Sequence, residues 1–447
     1  MVYSLKKKEI FIPIEIEDRE LDSQLLLSFF ATLRGYRIYL GSKEAINTYT
    51  LSKQTKSGIY LYKGCYKLNL LKRIKEKISS FVILDQELSP GVSDYKKFIK
   101  HRIPEGAINY INQIFVINAR AKKAIFDSYP GLKNKIKITG WPRIDLLKKK
   151  NRLFFEKKIH ALKNKFGNFF IFASDFAILS DDCLTKRLNQ LKHNKATTKE
   201  VLIERELFWK KALSAYNETI PILKKFARDA SSTLVIRPHP SENIKIWKKD
   251  FAGCRNIKVI RDGDIVPWIL SSDAWLHSGS TTSLQSNIIG KKTFCLKNSH
   301  INKNSLSYKV SREITSYHDT MTKMDKGIKN LEKELNNEFS YNLDACNEIL
   351  NSLDQLRTKK EKLPNLYQIT KLKLLILKKI IFDFILILLR KNKQLAPIST
   401  RSKNKGRINY DTIKQSFDSL SKIYLNKNNK FFIKKISKNL WIISSWD

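Results

Sequence analysis

Thr233-Leu234-Val235-Ile236-Arg237-Pro238-His239-Pro240, followed further on by Ala274-Trp275-Leu276-His277-Ser278-Gly279-Ser280-Thr281-Thr282, is the stretch that decides the fold. Each half is a short apolar run that stops abruptly at polar residues, as a parallel strand buried on both faces does. The first run ends in two prolines flanking a histidine, which stiffen the turn and fix where Arg237 and His239 point. The second ends in a hydroxyl-rich segment that opens a helix from about residue 281, closing near Ile289-Gly290. Ligands in open α/β sheets bind beyond the carboxyl ends of the strands. Residues 233–296 are therefore read as a phosphate-binding α/β unit. Arg237, His239 and Ser241 would grip phosphate oxygens, and His239 could also give a proton to a leaving group. Ser241 and Glu242 are taken to start the next helix. At the second end, Ser278, Ser280, Thr281 and Thr282 would surround the backbone N–H groups of a helix start, a natural anion site. Gly279 would let the backbone approach the ligand. Ser or Thr at a helix start is also an ordinary N-cap, and neither segment is a Walker loop or a Gly-x-Gly-x-x-Gly fingerprint.

Outward from this unit the alternation of strand and helix continues. Asn168-Phe169-Phe170-Ile171-Phe172-Ala173 reads as a strand, a long helix is expected around 199–228, and Ile257–Ile260 and Thr293–Leu296 as strands. Upstream, Glu9–Ile14 reads as a buried strand, residues 20–34 carry helical apolar spacing that stops at Gly35, and Arg37–Leu40 is a second strand. Phe81–Asp85 and Gln113–Ile117 extend the series, and residues 136–146 read as a last strand and an exit loop. The expected fold is α/β, two Rossmann-like domains facing a cleft, with a helical basic C-terminal extension. The expected boundaries are 1–147 for the first domain, 148–166 for a linker, and 167–345 for the nucleotide-binding domain. Helices at 346–392 and a basic tail at 393–447 follow.

A chain of 447 residues with 84 Lys+Arg against 42 Asp+Glu carries a formal charge of +42. The lysines are spread along the chain rather than gathered, and no nucleic-acid-binding signature accompanies them, so no nucleic-acid partner is expected. Five well-separated cysteines with no Cys-x-x-Cys pair suit free thiols in a reducing compartment. The N-terminus runs into a strand without an apolar signal region, which predicts a cytoplasmic protein. Residues 363–390 alternate leucine and isoleucine runs with lysines, and the uninterrupted run is too short to span a bilayer. Two readings stand: a helix packed on the domains, or one lying on an anionic membrane surface at the inner face of the cytoplasmic membrane.

In the first domain the candidates are charged. Glu15, Glu17, Asp18, Arg19 and Glu20 follow the first strand, and Asp85, Gln86 and Glu87 a later one. A carboxylate among Glu17, Glu20 and Asp85 would serve as general base or nucleophile beside His239. Glu15, Arg19, Glu87 and Arg143 would line the acceptor side. A charged helix start that favours its own dipole is the simpler account of any one of these acids. Trp141-Pro142-Arg143-Ile144-Asp145 is placed at a hinge. His101, His160, His193 and His300 lack metal-ligand spacing, so no metal is expected.

Taken in order, Ile12-Pro13-Ile14-Glu15, Arg19-Glu20-Leu21, Gly35, Leu40-Gly41, Asp85-Gln86-Glu87, Gly140–Asp145, Arg237–Pro240 and His277–Thr282 form a familiar series. The chain resembles the bacterial surface carbohydrate (surface polysaccharide) biosynthesis proteins, a family with a glycosyltransferase-B-like fold. The Arg-Pro-His-Pro and helix-start elements are also similar to those of CDP-glycerol glycerophosphotransferases and capsule Kdo transferases, whose His-Pro element meets a cytidine nucleotide. The family usually has Glu where this chain has Gln285, an amide that can bond a ribose but cannot act as a base. The resemblance implies an enzyme that moves a sugar or polyol phosphate from a nucleotide-activated donor, CMP- or other NDP-linked, to a glycan or lipid-linked acceptor. It implies no permanently bound cofactor. A non-hydrolysing nucleotide-sugar epimerase and a non-catalytic polysaccharide assembly protein are the alternatives.

Overall fold

The computed structural model describes residues 6–64, 68–86, 99–100, 102–193, 198–328, 331–389, 406–426 and 429–446. The chain forms two compact units, one of Met1–Leu146 with Asn336–Asp447 and one of Leu147–Leu335.

The first unit holds β1 (Glu9–Ile14), β2 (Arg37–Ser42), β3 (Ile59–Tyr62), β4 (Ser80–Leu84), β5 (Gln113–Val116) and β6 (Ile136–Ile138). They pair in parallel in the order β2-β1-β3-β4-β5-β6. β1 to β5 are buried along their whole length. Each large aliphatic or aromatic side chain so enclosed contributes about 1.5–3 kcal/mol, and the polar residues of these runs, Glu9, Arg37, Ser42, Ser80 and Gln113, stand at the strand ends. The helix Glu17–Leu33 covers one side through Leu21, Leu25, Leu26 and Phe29, all at 0% exposure.

The second unit holds β7 (Phe169–Ala173), β8 (Thr233–Arg237), β9 (Ile257–Val259), β10 (Trp275–His277), β11 (Thr293–Leu296) and β12 (Arg312–Ile314). All neighbours are parallel, in the order β12-β11-β10-β7-β8-β9. The chain starts in the middle at β7, builds outward to β9, then crosses back to β10, so the strand order reverses between β7 and β10. The helix Lys199–Ala230 follows β7 and packs Tyr216, Leu223 and Phe226 into the core beside Trp247.

Both units are thus Rossmann-like, as the sequence predicts. The C-terminal part differs from the expectation. The chain returns to the first unit near Asn336, earlier than the expected 345, where the Glu338 carbonyl accepts from Asn118 Nδ2 at 2.7 Å and its carboxylate from Arg120 at 2.8 Å. The Cys346 N–H donates to the Asp145 carboxylate at 2.9 Å. Arg34 reaches Asn347, Asn351 and Asp354. The expected tail is not a tail in its described portion: Phe431–Ser437 (β13) and Leu440–Ser445 (β14) form a hairpin, and β14 pairs antiparallel with β2. Gly41 makes this possible, since a Cβ there would overlap the Asn439 carbonyl. The stretch expected to be a linker or a solvated helix holds the helix Glu156–Phe166, which packs on Ile265–Ser271 with Phe166 against Trp268.

The helix Leu366–Leu389 is anchored on the first unit by Ile369 and by Leu372 at 0% exposure. Leu366, Leu374, Leu377 and Ile381 on the same helix are exposed. Among the described residues no helix is long and apolar enough to cross a membrane.

Candidate functional site

At a reversal of strand order, the loops leaving the two neighbouring strands diverge to opposite faces and leave a crevice at their carboxyl ends. In the second unit that place lies between Ala173 of β7 and His277 of β10. Ser174 and Asp175 leave one strand, Ser278 and Gly279 the other, and the Asp175 N–H donates to Ser278 Oγ at 3.1 Å. The loop after β8 joins them, because the His239 N–H donates to Ser174 Oγ at 3.1 Å. Three adjacent strands therefore deliver their loops to one spot.

The residue that ties the loops after β7 and β8 is Glu242, read from sequence as a helix start. The helix begins instead at Ile244, capped by Asn243. Glu242 is 4% exposed and accepts from Ser174 Oγ, from the N–H groups of Phe176 and His239, and from Trp247 Nε1. Burial pushes its carboxyl up, against the pull of these donors. Nothing in the local sequence signals this role, since the four donors are contributed by three different segments.

His239 is exposed, and its ring is held from below. Nδ1 accepts from the Ser241 N–H at 3.2 Å and lies 2.7 Å from the Ser241 hydroxyl. In the neutral ring this leaves the proton on Nε2, so the imidazole presents a donor. Arg261, absent from the sequence expectations, clamps the loop by donating to the Glu242 carbonyl at 2.8 Å.

Arg237 corrects an expectation. It is 7% exposed, donates to the carbonyls of Asp262 (3.0 Å) and Gly263 (3.1 Å), and lies 4.7 Å over the Trp268 ring. Its guanidinium is committed to holding the 262–263 turn. As the last residue of β8 it is still enclosed by the unit, whereas His239, two residues past the strand's end, is exposed.

The segment 278–282 keeps the expected form. Gly279 has φ +97°, a conformation only glycine adopts without strain. Its N–H donates to His277 Nδ1 at 3.0 Å, while His277 Nε2 meets Ser311 Oγ at 2.8 Å. Burial pushes the His277 imidazole down to about 3, so it is neutral and fixes the glycine turn. The helix runs Thr282–Ile289, with Ser280 Oγ accepting from the Thr282 N–H. Among the described residues the N–H groups of Ser280 and Thr281 have no hydrogen-bond partner. Gln285 Oε1, one turn along, is buried and likewise without a partner. Asp175 stands beside this segment, its carboxyl pushed up to about 6 by burial.

The first unit arranges its charges differently. A pocket at its strand ends is lined by Pro13, Leu61 and Leu84 with Arg19, Glu20, Tyr62, Lys63, Gln86 and Arg143. Glu15 and Glu20 are both held by Lys63, at 3.0 and 3.1 Å. Burial pushes the Glu15 carboxyl up, but Lys63, Lys43 and the Tyr62 hydroxyl outweigh it and leave it below the usual range. Asp85 is 1% exposed and paired with Arg102 at 3.1 Å. Of the carboxylates expected to act as base, Glu20 is thus paired with Lys63 and Asp85 with Arg102. Glu17 does not join them: it is 0% exposed and accepts the Arg407 N–H, while Arg407 also pairs with Asp18 and Asp22. Glu87 lies outside the described residues. Among those residues, no group of three or more His, Cys, Asp or Glu is placed to hold a metal ion.

No protein-family profile and no curated protein matches the chain. Among solved structures it is similar to the UDP-GlcNAc 2-epimerase from Neisseria meningitidis bound to UDP-GlcNAc. That alignment has 11% identity and a TM-score of 0.46, and covers 78% of this chain and 100% of that one. It is also similar to S. aureus MnaA with UDP, at 10% identity, covering 81% of this chain and 100% of that one, TM-score 0.44. The wall teichoic acid polymerase TagF aligns at 10% identity over 78% of this chain and 90% of its own, TM-score 0.41. Likeness of this degree assigns no activity to the chain.

Proposed function

We propose that the protein is a glycosyltransferase-like enzyme of surface polysaccharide biosynthesis, which moves a sugar or polyol phosphate from a nucleotide-activated donor to a growing glycan. One observation carries this reading. The loops after β7, β8 and β10 meet at the strand-order reversal of the second unit, with the N–H groups of Ser280 and Thr281, which have no partner among the described residues, at a helix start. That is an anion site with its dipole already oriented. His239 would stand over the leaving phosphate as a hydrogen-bond donor, and Gln285 Oε1 would accept from a ribose hydroxyl. Arg237 shapes the site through the 262–263 turn. The helix Leu366–Leu389, with exposed leucines beside Lys371, Lys373 and Lys378, would rest on an anionic lipid surface near a lipid-linked acceptor.

The test is thermal stability of the wild type and of Thr281→Glu with CMP, CDP, UDP and GDP. A ligand at one hundred times its Kd adds about 2.7 kcal/mol, so at least one nucleotide should raise the melting temperature of the wild type by several degrees. Thr281→Glu places a like charge at the anion site and should abolish that rise. If no nucleotide stabilises the wild type, the reading fails. Release of free nucleotide only when a glycan acceptor is added separates a transferase from an epimerase.

A further inference from the structure

The pocket of the first unit is bounded by residues from β1, β3 and β4, and strand order in this sheet reverses between β1 and β3. It therefore occupies the place where an open α/β sheet receives a ligand. Its empty space is about 440 Å³, counting the part open to solvent. The charged residues that line it are Arg19, Lys63 and Arg143 against Glu20 alone. Both oxygens of Glu20 are already engaged, Oε1 with Lys63 and Oε2 with the Glu15 N–H at 2.8 Å. Behind it, the Arg102 guanidinium is lowered by burial and then by the nearness of Arg19. Arg102 is itself paired with Asp85 at 3.1 Å, so the cations that face the pocket are those that line it. The lining is also set in place. The Arg143 N–H donates to Gln86 Oε1 at 3.0 Å, and Arg143 lies in the short helix Pro142–Asp145, whose last residue holds Cys346.

We propose that this pocket is an oxyanion subsite that takes a phosphate or carboxylate group carried by the acceptor. Arginine suits both chemistries, because its planar fork meets two oxygens at once. Lys63, also in the lining, adds a third positive charge beside Glu20. Glu15 and Glu20 hold Lys63 in place. Its assignment to the acceptor rests on the transferase reading; the capture of an oxyanion does not.

The experiment is calorimetric titration of the full chain with pyrophosphate and, separately, with glucuronate. Wild type, Arg19→Gln and the double variant Arg19→Gln/Arg143→Gln are compared, each also scanned for stabilisation by nucleotide. The double variant should bind the preferred probe at least tenfold more weakly, and Arg19→Gln, altered at an exposed side chain, several-fold more weakly. Binding should weaken further with added salt. Tighter pyrophosphate identifies a phosphate-bearing acceptor, and tighter glucuronate an acidic sugar. Equal binding by wild type and both variants overturns the proposal, as does a wild type that binds neither probe. Loss of nucleotide stabilisation from the wild type, with the arginine-dependent binding intact, sinks the transferase reading and leaves this one standing.

Discussion

The carboxyl edges of the two sheets solve the same problem with opposite chemistry. In the first unit the residues just past neighbouring strands alternate in sign: Lys43 after β2, Glu15 after β1, Lys63 after β3 and Asp85 after β4. Salt bridges join the first three, and Asp85 turns to Arg102. In the second unit the corresponding edge is built of Ser174, Ser278, backbone N–H groups and one buried carboxylate, Glu242. Ion pairs near solvent are adaptable and individually weak. A hydrogen-bonded network around a buried acceptor is rigid, and each member depends on the others. The second edge is therefore the better place to hold a fixed ligand group, and the first the better place to attract a charged one.

The contrast should show first in stability. Glu242→Ala would strand several buried donors, each costing about 1–3 kcal/mol when unpaired, so a loss of about 3 kcal/mol or more is expected from urea unfolding. Glu15→Ala, at an ion pair whose acid side chain is 37% exposed, should cost under about 1 kcal/mol. Similar losses in the two variants would erase the distinction.

A second contrast lies in acid. His277 is held neutral with its pKa lowered to about 3 from 6.5, so between those values the unfolded chain binds the extra proton. Its contribution is present above pH 6.5 and is lost as pH falls toward 3. Asp175 acts in the other direction: its carboxyl is raised from 3.8 to about 6, so the folded state binds the extra proton and stability falls as pH rises through that window. Asp175→Asn should therefore gain on the wild type by roughly 2 kcal/mol as pH rises from 3.8 to 6. Parallel stability curves for the two proteins would remove the buried-carboxyl account.

The smallest effect concerns the first edge alone. Lys63→Met removes the cation that holds Glu15 below its ordinary value while leaving the burial that raises it. The Glu15 carboxyl should then titrate at higher pH than in the wild type by NMR. An unchanged titration would show that Lys63 is not what sets it.

Much of this was legible in the sequence. Short apolar runs ending at Pro, Gly or charge marked most of the parallel strands, because burial on both faces admits little else. Gly279 and the hydroxyls around it marked the helix start, since a turn with positive φ and an N-cap are local requirements. β3, of four residues, escaped notice, and so did β12, of three residues with two charges. The basic tail hid a hairpin because its signal is a partner rather than a pattern: β14 is specified by the open edge of β2 and by a glycine far up the chain.

The sequence by itself determined two doubly wound sheets and which loops leave their carboxyl ends. Apolar periodicity and turn residues act over a few neighbours and need no knowledge of the rest. Only the tertiary structure decided what the charged residues do. Arg237 faces inward to its own turn, Glu17 is taken by Arg407 from 390 residues away, and Glu242 joins the loops after β7 and β8. A charge takes its role from whatever lies within a few ångströms of it, and those neighbours are set by chain crossings that no local pattern records.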